Sequence, residues 1–155
     1  MSASQRLHEL GLTLPPVPTP AAAYVPAVRT GQYVWTAGQL PVVDGRLPVT
    51  GKVGDGAGLV PPDVAKDLAR TAALNALAAV AEQAGSLDRV ARVVKVIGYV
   101  ASDPSFTGQP QVLNGASELL GHVFGQAGLH ARTAVGVAVL PLDAPVEVEL
   151  VVELA

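Results

Sequence analysis

From Asp63 to Ala84 the apolar positions recur at helical spacing, and most of them are alanine: Ala65, Ala69, Ala72, Ala73 and Ala76, with Leu68, Leu77 and Val80 alongside. That period predicts one helix over Asp63–Ala84, closed by Gly85. An alanine face has little relief and packs closely only against something flat, which in a small domain is a β-sheet. One segment therefore already asks for a helix laid on a sheet.

The rest of the chain supplies the sheet. Tyr24–Val28 and Tyr33–Thr36 read as two antiparallel strands around an Arg29-Thr30-Gly31-Gln32 turn, and Val90–Val100, β-branched on both faces, reads as a central buried strand. A second helix is expected from about Gln111 to Gln126, with Leu113, Leu120, Val123 and Phe124 inward. Thr133–Val139 and Val146–Val152 are two more strands, joined as a hairpin across Pro141–Pro145. The predicted order is β-β-α-β-α-β-β: an α+β domain with two helices on one face of a mixed sheet. At 155 residues the chain has room for one domain. Residues 1–21 are expected to form a short helix (Ser2–Leu10) and an extended arm carrying Pro15, Pro16, Pro18 and Pro20, and residues 22–155 the core. Between Gly38 and Pro62 the chain is rich in Gly, Pro and Asp, the expected long loop, with a turn at Asp44-Gly45 and a short β piece near Val49.

Composition narrows the chemistry. With 50% hydrophobic and 15% charged residues, the chain can bury a real core. A net charge of −3 and 4% aromatics leave it short of both the charge and the stacking surfaces that general nucleic-acid binding uses. With no cysteine there is no disulfide, thiolate nucleophile or Cys-ligated metal, and no metal site is expected. The first twenty residues lack the basic start and apolar run of a signal peptide, and no apolar stretch reaches the ~20 residues of a membrane span; a cytoplasmic, membrane-free protein is expected.

Candidate chemistry lies near the end of the chain. In the last strand Glu147, Glu149 and Glu153 share a face with Val151, opposite Val146, Val148, Leu150 and Val152. A solvated outer face is the ordinary reading of such a stripe. The preceding strand, however, has a face of only small residues, Ala134, Gly136 and Ala138, which leaves room for another chain or a ligand. Arg132 stands at the mouth of the expected hairpin, its guanidinium a fork suited to a carboxylate or, equally, to carbonyl capping or pairing with Glu153.

Taken together, Tyr24, Gly38-Gln39 with Leu40-Pro41, Asn114, His130-Ala131-Arg132-Thr133-Ala134-Val135, Leu140-Pro141 and Glu147-Val148-Glu149 resemble the RidA/YjgF family of reactive-intermediate (enamine/imine) deaminases. The resemblance runs from about Tyr24 onward. It implies a chorismate-mutase-like α+β fold, a homotrimer with clefts between subunits, and a damage-control hydrolysis of 2-aminoacrylate or its imine tautomer to a 2-keto acid and ammonia, without cofactor. It also implies roles: Arg132 binds the carboxylate, Glu147 activates water, and Tyr24, Gly38, Asn114 and Ala134 stand at pocket positions. His130 is a second candidate proton carrier, although a histidine at a helix-to-strand corner is commonly structural. The sequence departs from the family pattern at Ala37 (usually serine), Ala134 (often cysteine) and His130 (proline), and the arm and long loop point to a longer branch. A non-catalytic trimer that binds small carboxylates in the same clefts is the alternative. RNA cleavage, sometimes attached to the family, is opposed by the acidic balance.

Overall fold

The computed structural model describes residues 1–20 and 22–155. Position 21, the expected boundary between arm and core, lies outside the described residues. Chain order begins with α1 (Ala3–Glu9), β1 (Ala27–Thr30) and β2 (Tyr33–Thr36), then α2 (Pro62–Ala84), β3 (Val90–Ala101), α3 (Gln109–Phe124), β4 (Ala131–Val137) and β5 (Val146–Leu154). The order of elements is the one expected, with Tyr24 three residues ahead of β1 and β4 ending before Ala138 and Val139. No strand forms near Val49. In that loop a Val43–Arg46 bridge closes the Asp44-Gly45 turn, and Val53 bridges Val60 and Ser102. Among the described residues no helix is long and apolar enough to cross a membrane.

The five strands run in the order β1-β2-β5-β3-β4, all antiparallel except the β3–β4 pair. This corrects the expected final hairpin. β4 and β5 are not partners, because the α3 crossover returns the chain parallel to β3 and leaves β4 at the edge, while β5 threads between β2 and β3. The residues give the physical reason. Val146, Val148, Leu150 and Val152 make an unbroken fully buried row that only a central strand can bury, whereas the small residues of β4 suit an edge. The pairing of Arg132 with Glu153 is therefore absent; Arg132 lies opposite Val96, and Glu147 lies opposite Tyr99.

The alanine face of α2 is buried against the sheet beside α3, with Ala65, Ala69, Ala72, Ala73 and Ala76 inaccessible to solvent. The two helices approach closely at Gly115, where a Cβ would lie 1.9 Å from the Lys66 carbonyl oxygen. β3 is buried on its helix side through Val93, Val96 and Val100, but Ile97 and Tyr99 on its other side are only half-buried, so it is covered on one face rather than two. The small residues of β4 also differ from expectation: Ala134 packs on the core, and a Cβ at Gly136 would meet Gln109 and Ser102 of the same chain. The exposed apolar surface is on the helix-free face instead, at Val28, Trp35 and Val135.

Asn75 is one of two buried polar residues among the described residues, and its Nδ2 donates to the carbonyls of Leu40 and Val42 at 2.9 and 3.0 Å, tying the long loop to α2. Replacing it with alanine strands two carbonyls. Asn75→Ala is expected to cost roughly 1–3 kcal/mol in chemical denaturation, with little change in the slope.

Candidate active site

Two groups of side chains form, on opposite faces of the sheet. Arg132 points toward the helix layer, where its Nη1 donates to Asn114 Oδ1 at 2.9 Å and Ser117 Oγ at 3.2 Å. Asn114 and Ser117 are three residues apart on α3 and so share one side of the helix. Among the described residues both hydrogen bonds of Arg132 use Nη1. That leaves Nη2 and Nε, the edge of the guanidinium that matches two carboxylate oxygens. His130 supports the arrangement from behind. Its Nδ1 lies 2.6 Å from the Gly128 carbonyl, which can only accept, so Nδ1 carries a proton. Its Nε2 lies 2.9 Å from Ser117 Oγ, and in the neutral ring it accepts the serine hydroxyl, freeing the serine oxygen for Arg132. Ala134, two residues along β4, shares the Arg132 side of the strand and is half-buried.

The second group surrounds Glu147. A Cβ built on Gly38 would fall 2.7 Å from the Glu147 Cδ, so only glycine leaves room for the carboxyl where it lies. The Gln39–Val148 bridge, with both backbone hydrogen bonds formed, holds that contact in register. Burial first, and the neighbouring Glu149 carboxylate second, push the Glu147 pKa above its ordinary 4.5. Glu149 accepts a hydrogen bond from the Tyr99 hydroxyl at 3.2 Å. Tyr99 is itself pushed up, by burial and then by the charge of Glu149. Tyr24 and Gly38 line one cavity of about 100 Å³, with Pro18, Pro20, Leu40 and Leu142.

The structure thus gathers Arg132, Asn114, Ala134 and His130 at one place and Glu147, Gly38 and Tyr24 at another. It does not bring the two together within a chain. Arg132 sits three residues from the row of Glu147 and two strands away, about 10 Å along and about 10 Å across, with the sheet between the side chains. Ser117 and Leu142 were not singled out in the sequence. A polar pair three apart on the apolar side of α3 was the readable signal for Ser117; Leu142 had none.

Residues 4–154 match the family described as YjgF/chorismate mutase-like, putative endoribonuclease. The chain belongs to the YjgF family. Its relatives include Protein TCP17 of Trypanosoma cruzi, 45% identical over 149 residues, which cover 96% of this chain and 91% of that one. A crystal structure named as a putative endoribonuclease from Shewanella oneidensis is 32% identical with a TM-score of 0.93, covering 99% of this chain and 100% of its own. E. coli TdcF, solved with bound serine, is 25% identical with a TM-score of 0.65, covering 90% of this chain and 94% of its own. The chorismate-mutase-like α+β fold of the YjgF family, with its mixed sheet, is the fold of this chain.

Proposed function

We propose that the protein hydrolyses imines of 2-keto acids, the 2-aminoacrylate/2-iminopropionate class, to keto acid and ammonia in clefts between the subunits of a homotrimer. The observation that carries this reading is Arg132, fixed through Nη1 by Asn114 and Ser117 with two donors to spare for a substrate carboxylate. The imine carbon is already electrophilic, so the remaining needs are a placed water and a group that carries its protons from oxygen to nitrogen. In this reading the Glu147 carboxylate takes a proton from water as its oxygen bonds to the imine carbon. It then returns that proton to the nitrogen to give a carbinolamine, and a second transfer through the same carboxylate carries the hydroxyl proton to the amino group, so that ammonia leaves as the C–O bond closes to the carbonyl. A carboxyl with a raised pKa suits both halves of this exchange near neutral pH.

Because the sheet separates Arg132 from Glu147, a site using both takes one from each of two chains. The exposed helix-free face, with Trp35 at 53% and Val28 at 52% relative exposure, supports burial against other subunits. RNA cleavage is opposed by the three carboxylates Glu147, Glu149 and Glu153 on that face and by the net charge of −3.

The test supplies imines from an amino-acid oxidase and follows their trapping by semicarbazide. Added protein is expected to lower semicarbazone formation in proportion to its concentration. Keto-acid binding without any such effect would replace hydrolysis with the second reading, a non-catalytic carboxylate binder. That reading is favoured by the serine bound to TdcF and by the loss of polar groups at Ala37 and Ala134.

The pH dependence has a defined sign. If the ionised form of Glu147 is the base, kcat/KM rises with pH through an inflection above 4.5. Glu149→Gln, which removes the neighbouring like charge, moves the inflection down, and Glu147→Gln abolishes it. A limb that ignores both substitutions assigns the base elsewhere. A raised pKa contributes stability that is full below 4.5 and lost as pH rises through the folded value, so Glu147→Gln is expected to stay folded at neutral pH.

A further inference from the structure

The cavity beside Glu147 has walls that the hydrolytic step does not use. One is the proline arm. α1 is seated by buried Leu7 and by the Ser4 N–H donating to Asp88 Oδ1 at 2.8 Å, and Leu12, Leu14 and Val17 then pack along the core, which delivers Pro18 and Pro20 to the cavity. The floor is Leu40 and Val42, whose carbonyls Asn75 holds.

The facing wall is Leu142, and it is held there against its own preference. Leu142 and Asp143 are consecutive left-handed residues, with φ of 58° and 57°, a conformation disfavoured for any residue with a Cβ. Four contacts hold the turn: the Lys52–Asp143 ion pair, the Gly51 N–H donating to the Asp143 carbonyl at 2.8 Å, the Asp143 N–H donating to the Leu140 carbonyl at 3.1 Å, and the Ala144 N–H donating to the Pro141 carbonyl at 3.1 Å. The result is a leucine side chain that lines the cavity while the residue remains 70% exposed. Strain of this kind is kept where a ligand is gripped.

We propose that this cavity receives the substrate's side chain, that the substrates are 2-imino acids with aliphatic side chains of up to four carbons, and that Leu142 sets the upper size limit. The inference rests on the imine-hydrolase reading and narrows it. Among the described residues none that lines the cavity is charged. At about 100 Å³ it is smaller than the ~150 Å³ cavity that admits benzene. Gly38 joins the cavity to the reacting centre, since it lines the one and touches the carboxyl of the other.

The experiment measures dissociation constants of the assembled protein for pyruvate, 2-oxobutyrate, 2-oxopentanoate, 4-methyl-2-oxopentanoate, phenylpyruvate and 2-oxoglutarate by calorimetry. Affinity is expected to rise about fourfold with each added methylene as far as the five-carbon chain. It is expected to fall for phenylpyruvate and 2-oxoglutarate. Leu142→Ala should raise the phenylpyruvate-to-pyruvate affinity ratio about tenfold. Leu142→Gly, which also relieves the left-handed backbone, should do the same, separating the effect of size from that of strain. Keto acids that bind with no dependence on chain length overturn the side-chain site while leaving the imine-hydrolase reading intact. A Leu142→Ala ratio equal to the parent's overturns the size limit. Failure of every keto acid to bind overturns both readings.

Discussion

Arg132→Ala and Glu147→Gln proteins, each inactive alone, are expected to regain activity when unfolded together and refolded as a mixture. The ground is the sheet itself: the guanidinium lies on the helix side of β4 and the carboxylate on the other side of β5. In a closed ring each cleft takes its arginine from one chain and its glutamate from the next. A one-to-one random mixture then holds an intact pair in about a quarter of its clefts, so about a quarter of parental activity is the expected recovery. Native mass spectrometry verifies that subunits have exchanged. Recovery near zero despite exchange would mean that the two residues do not share a cleft, and monomers at micromolar concentration in sedimentation equilibrium would remove the basis for the mixture.

The second large effect is a loss of affinity in Arg132→Ala itself. A bidentate, charge-assisted contact contributes roughly 1.5–3 kcal/mol, so keto-acid binding should weaken about tenfold to hundredfold. Lysine supplies the charge without the fork, and Arg132→Lys should restore only part. Asn114→Ala and Ser117→Ala, which remove the acceptors of Nη1 while keeping the guanidinium, should fall between parent and Arg132→Ala. An Arg132→Ala protein that stays folded and assembled and binds as tightly as the parent would show that the carboxylate is held elsewhere.

What was legible in the sequence was local. The alanine period of α2, the Gly85 stop and the alternation in β5 depend on spacings of two to four residues, and each stands as read. Strand partnership is not local. Neighbours in sequence usually pair, and that habit suggested a hairpin across Pro141–Pro145, whereas the pairing is decided by α3 returning β4 parallel to β3 and by the buried row of β5 claiming the centre. The candidate site divides in the same way. Arg132 and Glu147 were found by their resemblance to family positions, but that they lie on opposite faces follows only from the strand order. The grip of Gly38 on Glu147 and the left-handed turn at Leu142 carry no sequence signal, because both are closed by residues far along the chain.

The place of β5 also bears on how the chain reaches this state. The β1–β2 hairpin and the β3–α3–β4 unit are formed from residues up to Val137, yet the two touch in the sheet only through β5. Until residues 146–154 leave the ribosome, both halves carry an open edge. The alanine face of α2 has only part of its platform until then. Such long-range closure is slow compared with helix formation and leaves strand edges open to wrong partners. The sheet is therefore completed only once β5 is free to pair, and a chain stalled before Val146 is a natural target for chaperones.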